Sequence, residues 1–487
     1  GIGEEDVVAL VLPNSNETAV ATVAGMIAGI VNPINPLLEP EQIGAILRET
    51  KAKVVVTLKS FPSSDVAQKT AEAVKHAPGV HTILEVDLNR YLTPPKSWIV
   101  PFIRPKNGIN HHADVKDFVA EMKRQPNTLS FEDSGRDRVA AYFAERARGG
   151  VGLIVTGGVA PNIEGSAFPN AGKLSDPEEI AHHLPVTRAV HEEGGKIAMQ
   201  ILHTGRYAYH HAAVSASAIK SPISPFAPRE LDEAGIEKQI ADFANCAALA
   251  REAGYDGVEI MGSEGYFINQ FLVTHTNKRD DEWGGSYENR MRLPVEIVKR
   301  VRAAVGDDFI IIYRLSMIDL VPDGSTWDEV VQLAKAIEAA GASIINTGVG
   351  WHEARIPTIA TSVPRRAFAW VTKRMMGEVG VPLVTCNRIN TPEVAEEVLA
   401  EGCADMISMA RPFLADAYFV KKAQEGRADE IAPCIACNQA CLDHTFSGKL
   451  TSCLVNPRAC HETVLTYPPA ARPLRQLRGP VGERIPA

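Results

Sequence analysis

The sequence predicts a parallel α/β protein: a (β/α)8 TIM-type barrel lacking its first strand, preceded by a separate α/β segment. Two observations carry this expectation. From about residue 146 to 430, short continuous apolar runs alternate with longer amphipathic ones, the pattern of strands buried on both faces and followed by covering helices. Seven such runs occur there, whereas a closed barrel needs eight.

The first segment, residues 1–140, holds two apolar runs that read as strands, Val7–Leu12 and Val54–Leu58. An Ala/Gly-rich helix and the turn-forming run Asn32-Pro33-Ile34-Asn35-Pro36 lie between them. A polar stretch from Pro94 to Ser130 follows, with little periodicity after Ile103. In the barrel, residues 141–430, the strands are expected at Val151–Thr156, Lys196–Ile201, Gly257–Met261, Phe309–Leu315, Ser343–Thr347, Leu383–Cys386 and Asp405–Ser408. Helices are expected at Glu178–Glu193, Ile236–Ala253 and Trp327–Ala340; Gly254, Gly306 and Gly341 stand where helices or their turns would end. Residues 431–467 form a cysteine-rich segment, and the Pro/Arg-rich residues 468–487 are expected to be a disordered tail.

Of the 487 residues, 45% are hydrophobic and 22% charged, ordinary for a globular protein. The net charge of −9 argues against nucleic-acid or anionic-membrane partners, because no basic excess exists to offset phosphates. The longest apolar stretch, Thr18–Val31, falls short of the about 20 residues a membrane crossing needs. Four of the eight cysteines lie within twenty residues, which points to metal ligation in a reducing compartment, by default the cytoplasm.

Those four, Cys434, Cys437, Cys441 and Cys453, are spaced C-x2-C-x3-C-x11-C. Four soft thiolates suit an iron–sulfur cluster or a zinc ion; three bunched cysteines with one apart are unlike paired zinc knuckles. Cys246, Cys386 and Cys403 lie in βα units and are expected to be small buried hydrophobes.

Polar residues at the strands' C-terminal ends mark the face where such barrels place their active sites. Gln200 interrupts an apolar strand, a costly position without partners, and its amide suits a flavin pyrimidine. Arg314 ends the run Ile310–Tyr313, where a cation would stabilise a reduced, anionic flavin. Arg388, and Ala410 with Arg411, follow the last two strands, where barrels bind phosphate. Tyr266 on a Gly-flanked loop and His352 on another are candidate proton donors. No G-x-G-x-x-G or G-x-x-x-x-G-K-[ST] motif occurs.

From about Arg138 to Pro468 the chain resembles the N-terminal flavin barrel of NADPH-dependent 2,4-dienoyl-CoA reductases, relatives of the old yellow enzymes. The resemblance rests on Gln200–Tyr207, Met261–Asn269, Trp351–Thr361, Ser408–Ala415 and the cysteine segment through Cys460. It implies that Gly158, Gln200, Arg314, Arg388, Ala410 and Arg411 contact FMN. It makes Tyr266 the proton donor beside His352, and places Asn277, His352, Glu353, Ala354 and Arg355 at the substrate. It assigns the four cysteines a [4Fe-4S] cluster. In that family electrons pass from NADPH to FAD, through the cluster to FMN, and as hydride to the dienoyl thioester.

Three departures accompany the resemblance. The family's opening strand is replaced, His275 stands where an arginine is expected, and the FAD and NADPH domains are missing. Residues 1 to about 143 instead resemble the opening of an AMP-forming acyl-CoA synthetase, through Val7–Asn14 and Gly29–Pro36, and stop before its ATP-phosphate loop. The junction, Arg138–Phe143, fits either family. The expected activity is reduction of a C=C bond of an unsaturated acyl-CoA, fed by an external electron donor and impaired by truncation. The alternatives are an inactive chimeric fragment and a ligase-related binding protein acting through residues 1–140.

Overall fold

The computed structural model describes residues 5–466 apart from 14, 63, 125–134, 170 and 448. The tail expected from residue 468 lies outside the described residues. The chain forms two compact units, residues 1–130 and 131–487.

The first unit is built on a five-stranded parallel sheet in the order β2-β1-β3-β4-β5. Its strands are β1 (Val7–Val11), β2 (Ile30–Pro33), β3 (Ala52–Leu58), β4 (Thr82–Val86) and β5 (Asp114–Asp117). The two expected strands, β1 and β3, are central and almost wholly buried. The other three were hidden for physical reasons. β2 occupies part of the expected Asn-Pro turn: it is an edge strand, and Pro33 ends it, where a missing N–H leaves the ladder intact. β5, the opposite edge, is polar and mostly exposed, so it carries no apolar pattern. β4 is only partly buried.

The second unit holds a curled seven-stranded parallel sheet in the order β14-β13-β12-β11-β10-β7-β6. Its strands are β6 (Leu153–Val159), β7 (Lys196–Ile201), β10 (Gly257–Gly262), β11 (Ile310–Ile318), β12 (Ile344–Val349), β13 (Leu383–Thr385) and β14 (Met406–Ile407). A small pair, β8 (Val214–Ser215) and β9 (Arg229–Glu230), decorates a loop. All seven expected strands are present, and among the described residues β6 and β14 are not paired with each other. The sheet is therefore an open barrel. Its openness shows in burial: β10 is buried at every position, whereas Gly157 and Gly158 of the edge strand β6 are exposed.

The helical shell continues across the gap that the strands leave. Helix Gly135–Arg148, which leads into β6 and contains the resemblance junction, packs on helix Ile180–Glu192. On its other side Lys421 N–H donates to Gly149 O (2.9 Å) and Arg146 Nε to Phe413 O (3.0 Å). Arg146 also forms an ion pair with Glu462, both side chains 3% exposed, and Glu145 pairs with Arg458. Among the described residues no helix is long and apolar enough to cross a membrane.

Candidate active site

Parallel pairing carries polar side chains from successive strands to one end of the sheet. Gly158 is opposite Gln200, Gln200 opposite Glu259, and Arg314 opposite both Met261 and Asn346. Glu259, only 1% exposed, accepts from Gln200 Nε2 (2.6 Å) and from Asn346 Nδ2 (2.7 Å). A carboxylate accepts only, so both amides turn their N–H groups toward it and their oxygens away. Among the described residues Asn346 Oδ1 is left buried without a partner. Beside them Arg314 makes a two-pronged bond to Glu264, from Nε (3.0 Å) and Nη2 (2.9 Å). Burial works against the Arg314 charge, but Glu264, Cys386 and Glu259 outweigh it and raise its pKa.

Tyr266 and His352 come together across this rim, with Tyr266 Oη 2.8 Å from His352 Nε2. Tyr266 follows β10 through Glu264 (φ 56°) and Gly265 (φ 82°), two left-handed residues that swing it back over the sheet. Gly265 is required twice over: a Cβ there would lie 2.4 Å from Tyr207 Oη and 2.6 Å from the Trp351 ring. His352 N–H reaches back to Glu264 O (3.3 Å). His352 is exposed, with the Tyr266 and Tyr207 rings packed against it. Desolvation by the neighbouring protein lowers the His352 pKa and raises that of Tyr266, with Glu264 adding to the latter and Arg314 opposing it. Near neutral pH the pair is a neutral imidazole hydrogen-bonded to a protonated phenol, a constellation able to deliver one proton.

Two residues expected at the substrate have their polar atoms spent inside the protein. Asn277, 4% exposed, donates to Phe271 O (2.7 Å) and Trp283 O (2.8 Å) and accepts from Arg279 N–H (3.1 Å). Glu353 accepts from Arg206 Nη2 (2.6 Å) and Tyr207 Oη (2.9 Å), and His275 Nε2 lies 3.0 Å from its other oxygen. His275 thus belongs to a buried network around Arg206, which is 1% exposed. Ala354 is half-buried, and Arg355 is exposed at the rim.

Arg388 and Arg411 follow β13 and β14. Asn387 (φ 68°) and Arg388 (φ 59°) are consecutive left-handed residues. Burial, with the neighbouring Arg411 and Arg365 guanidinium groups, lowers the Arg388 pKa, the mark of cations crowded together. Arg411 donates to Ile359 O (2.8 Å) and to Asn438 Oδ1, which ties it to the cysteine segment. Ala410, immediately before it, is exposed. Further stitches run from Thr361 Oγ1 to Ile435 O (2.9 Å) and from Asn390 Nδ2 to Cys434 O (2.7 Å).

Cys434, Cys437, Cys441 and Cys453 line one cavity together with Arg411 and Asn438. Burial raises the pKa of Cys441 and Cys453. Their donor chemistry fits a soft four-sulfur set, and Ala436 N–H already donates to Cys434 Sγ (3.4 Å). Among the described residues, however, no three such side chains close on a common centre. Cys246, Cys386 and Cys403 are buried, as expected.

Glu259, Glu264 and Asp319 were not among the residues singled out in the sequence. Glu259 carried the signal that exposed Gln200, a polar residue within an apolar strand. The same stretch of sequence holds His203, 1% exposed, whose Nδ1 accepts from Gly205 N–H (3.1 Å) while Nε2 donates to Gln239 Oε1 (3.1 Å). Burial lowers its pKa from 6.5 to about 3. Between those values the unfolded chain binds a proton that the folded chain refuses, so stability falls as pH drops below about 6.5. The expected loss is at most about 1.4 kcal/mol per pH unit. Urea denaturation at pH 7 and pH 5 checks this, and a non-titrating His203→Asn variant should show a shallower pH slope.

An open parallel barrel with a hydrogen-bonded Tyr–His pair, a half-buried arginine and acceptor amides at its C-terminal rim has the groups that a cofactor-holding site with a proton donor beside it requires. Residues 124–430 match the model of the NADH:flavin oxidoreductase / NADH oxidase family, and the chain belongs to that family. The name of that family is that of flavin-dependent oxidoreductases, its solved relatives include old yellow enzymes, and FMN is the flavin the family implies. Residues 1–114 match the AMP-binding enzyme model.

The chain is 42% identical over 354 residues to a metal reductase of Desulforamulus reducens, covering 72% of this chain and 53% of that protein. It is 32% identical over 358 residues to a cinnamate reductase of Clostridium sporogenes, covering 68% and 53%. A solved 2-naphthoyl-CoA reductase in complex with 2-naphthoyl-CoA superposes with a TM-score of 0.64 at 35% identity, covering 67% of this chain and 52% of that one. The chain spans about half the length of the curated relatives it matches.

Proposed function

We propose that the second unit reduces a carbon–carbon double bond conjugated to the thioester of an unsaturated acyl-CoA, in the manner of 2,4-dienoyl-CoA reductases. The observation that carries this reading is the Tyr266–His352 pair, 2.8 Å apart at the rim beside Arg314 and Gln200. FMN, when bound, supplies the hydride. Gln200 and Gly158 would lie along its ring system, Arg314 would offset negative charge there, and Arg388, Ala410 and Arg411 would hold its phosphate. The crowded, partly desolvated Arg388 supports an anion at that position. Hydride addition leaves an enolate on the substrate, which Tyr266 protonates while His352 orients the phenol. His352, Ala354 and Arg355 face the substrate side; Asn277 and Glu353 brace the loops beneath. The thioester class is supported by the naphthoyl-CoA complex, and the conjugated alkene by the cinnamate reductase.

The four cysteines would hold a [4Fe-4S] cluster that accepts electrons from an external donor, ultimately NAD(P)H, in the cytoplasm. Their common cavity beside Arg411 supports this. With β6 and β14 not paired with each other among the described residues, the expected preparation carries less than one equivalent of flavin and turns over weakly with NADPH alone. An absorption spectrum with iron and sulfide assays tests both parts. Broad cluster absorbance should vanish in Cys437→Ser while any flavin band persists. A full equivalent of flavin with brisk NADPH-driven turnover would overturn the expected impairment, and a preparation free of iron would overturn the cluster.

A further inference from the structure

We infer that Asp319 is a positioning residue that sets the register of the Tyr266–His352 pair, an inference that rests on the reading of that pair as the proton-delivery site. Asp319 follows β11 and is 4% exposed. Its Oδ1 accepts from Ser316 Oγ (2.6 Å), Trp351 Nε1 (2.8 Å) and Asn269 Nδ2 (3.2 Å), and its Oδ2 from Ser325 N–H (2.8 Å). Two of these donors lead straight to the pair. Asn269 passes the constraint on through Oδ1, which accepts from Gly265 N–H (3.0 Å), one residue before Tyr266. Trp351 immediately precedes His352, and its own N–H donates to Asp319 O (2.9 Å). One carboxylate therefore holds the loop after β10 and the loop after β12 against the end of β11.

The chemistry of the position is restrictive. Three donors converge on Oδ1 and a fourth on Oδ2, so both oxygens must accept, and a carboxylate is the side chain with two acceptor oxygens. An asparagine with its oxygen at the Oδ1 position would set its NH2 group against the Ser325 N–H. The loop from Asp319 to Ser325 folds over the carboxylate closely enough that a Cβ on Gly324 would lie 2.9 Å from Asp319 Cβ. The contact being positioned is short, and an ångström of misplacement at a reacting group costs about 100-fold in rate.

The test uses the full chain and the variant Asp319→Asn. Histidine-labelled NMR needs neither flavin nor substrate, so it reads the role of Asp319 even if the chain reduces no thioester. The His352 signal is assigned by its loss in His352→Asn. Around it lie Tyr266, Tyr207, Glu264 and Arg314. In D319N the His352 titration is expected to move up toward the ordinary histidine value while His203 stays neutral. Where turnover is measurable, kcat should fall about 10- to 100-fold with KM little changed. The double variant D319N/Y266F should be no slower than Y266F alone, because both changes remove the same proton delivery. Unchanged His352 titration, or losses that multiply in the double variant, would overturn the inference. If D319N does not fold, Trp351→Phe removes a single donor and must shift His352 in the same direction; an unmoved signal overturns the inference equally.

Discussion

Replacing Tyr266 with phenylalanine should slow alkene reduction by about 10²- to 10⁴-fold, the range set by losing a positioned general acid. The phenol has no second role that would blur the result. Its hydroxyl contacts His352, and its ring makes edge contacts with Tyr207 and His352 that phenylalanine preserves. The variant should therefore keep the wild-type fold and flavin spectrum. The measurement is reoxidation of dithionite-reduced flavin by an unsaturated acyl-CoA, which bypasses the electron donor. Wild type should show a rapid phase that Y266F lacks. Because burial raises the Tyr266 pKa above its ordinary value, the wild-type rate should hold through pH 9 rather than fall as a free phenol would begin to ionise. A Y266F chain as fast as wild type would mean that the proton comes from elsewhere, Glu264 being the nearest carboxyl on the same loop.

The largest stability effect is expected at Arg206. Its guanidinium is 1% exposed, is bonded to Glu353, and lies over the Trp351 ring at 5.8 Å. Arg206→Met keeps much of the side-chain volume but leaves the Glu353 carboxylate, among the described residues, with Tyr207 and His275 as its side-chain partners. Removing one member of a buried ion pair costs about 3–5 kcal/mol, because an uncompensated charge remains. Urea unfolding followed by near-ultraviolet signal should show a lower midpoint. Adding Glu353→Gln to R206M should restore part of the loss, since the stranded charge is then gone. If R206M alone is neutral, the network is not a support for the loops that carry Tyr266 and His352.

The seven strands of the second unit were legible because parallel strands covered on both faces are written as unbroken apolar runs, such as Gly257–Met261. The missing eighth was legible for the same reason. In the first unit β1 and β3 could be read, whereas β2 and β5 could not: edge strands need no apolar pattern, and a terminal proline there looks like a turn. Gln200, Arg314, Tyr266 and His352 stood out as polar residues at strand ends or on Gly-flanked loops. The spacing of the cysteines identified four soft donors on its own.

Chain order alone could not reveal which of these side chains meet. Arg206 and Glu353 are 147 residues apart, and Asn277, which the resemblance placed at the substrate, has its amide bonded to main chain. Asp319, which the sequence did not single out, is the shared acceptor for the loops that carry Tyr266 and His352. The sequence by itself determined the repeat of buried strands and the kinds of groups at their ends, because burial and side-chain chemistry are properties of single residues and short runs. Only the tertiary structure decided which polar atoms are spent on the protein and which remain for a ligand. That outcome depends on hydrogen-bond partners that the curl of the sheet brings together from distant parts of the chain.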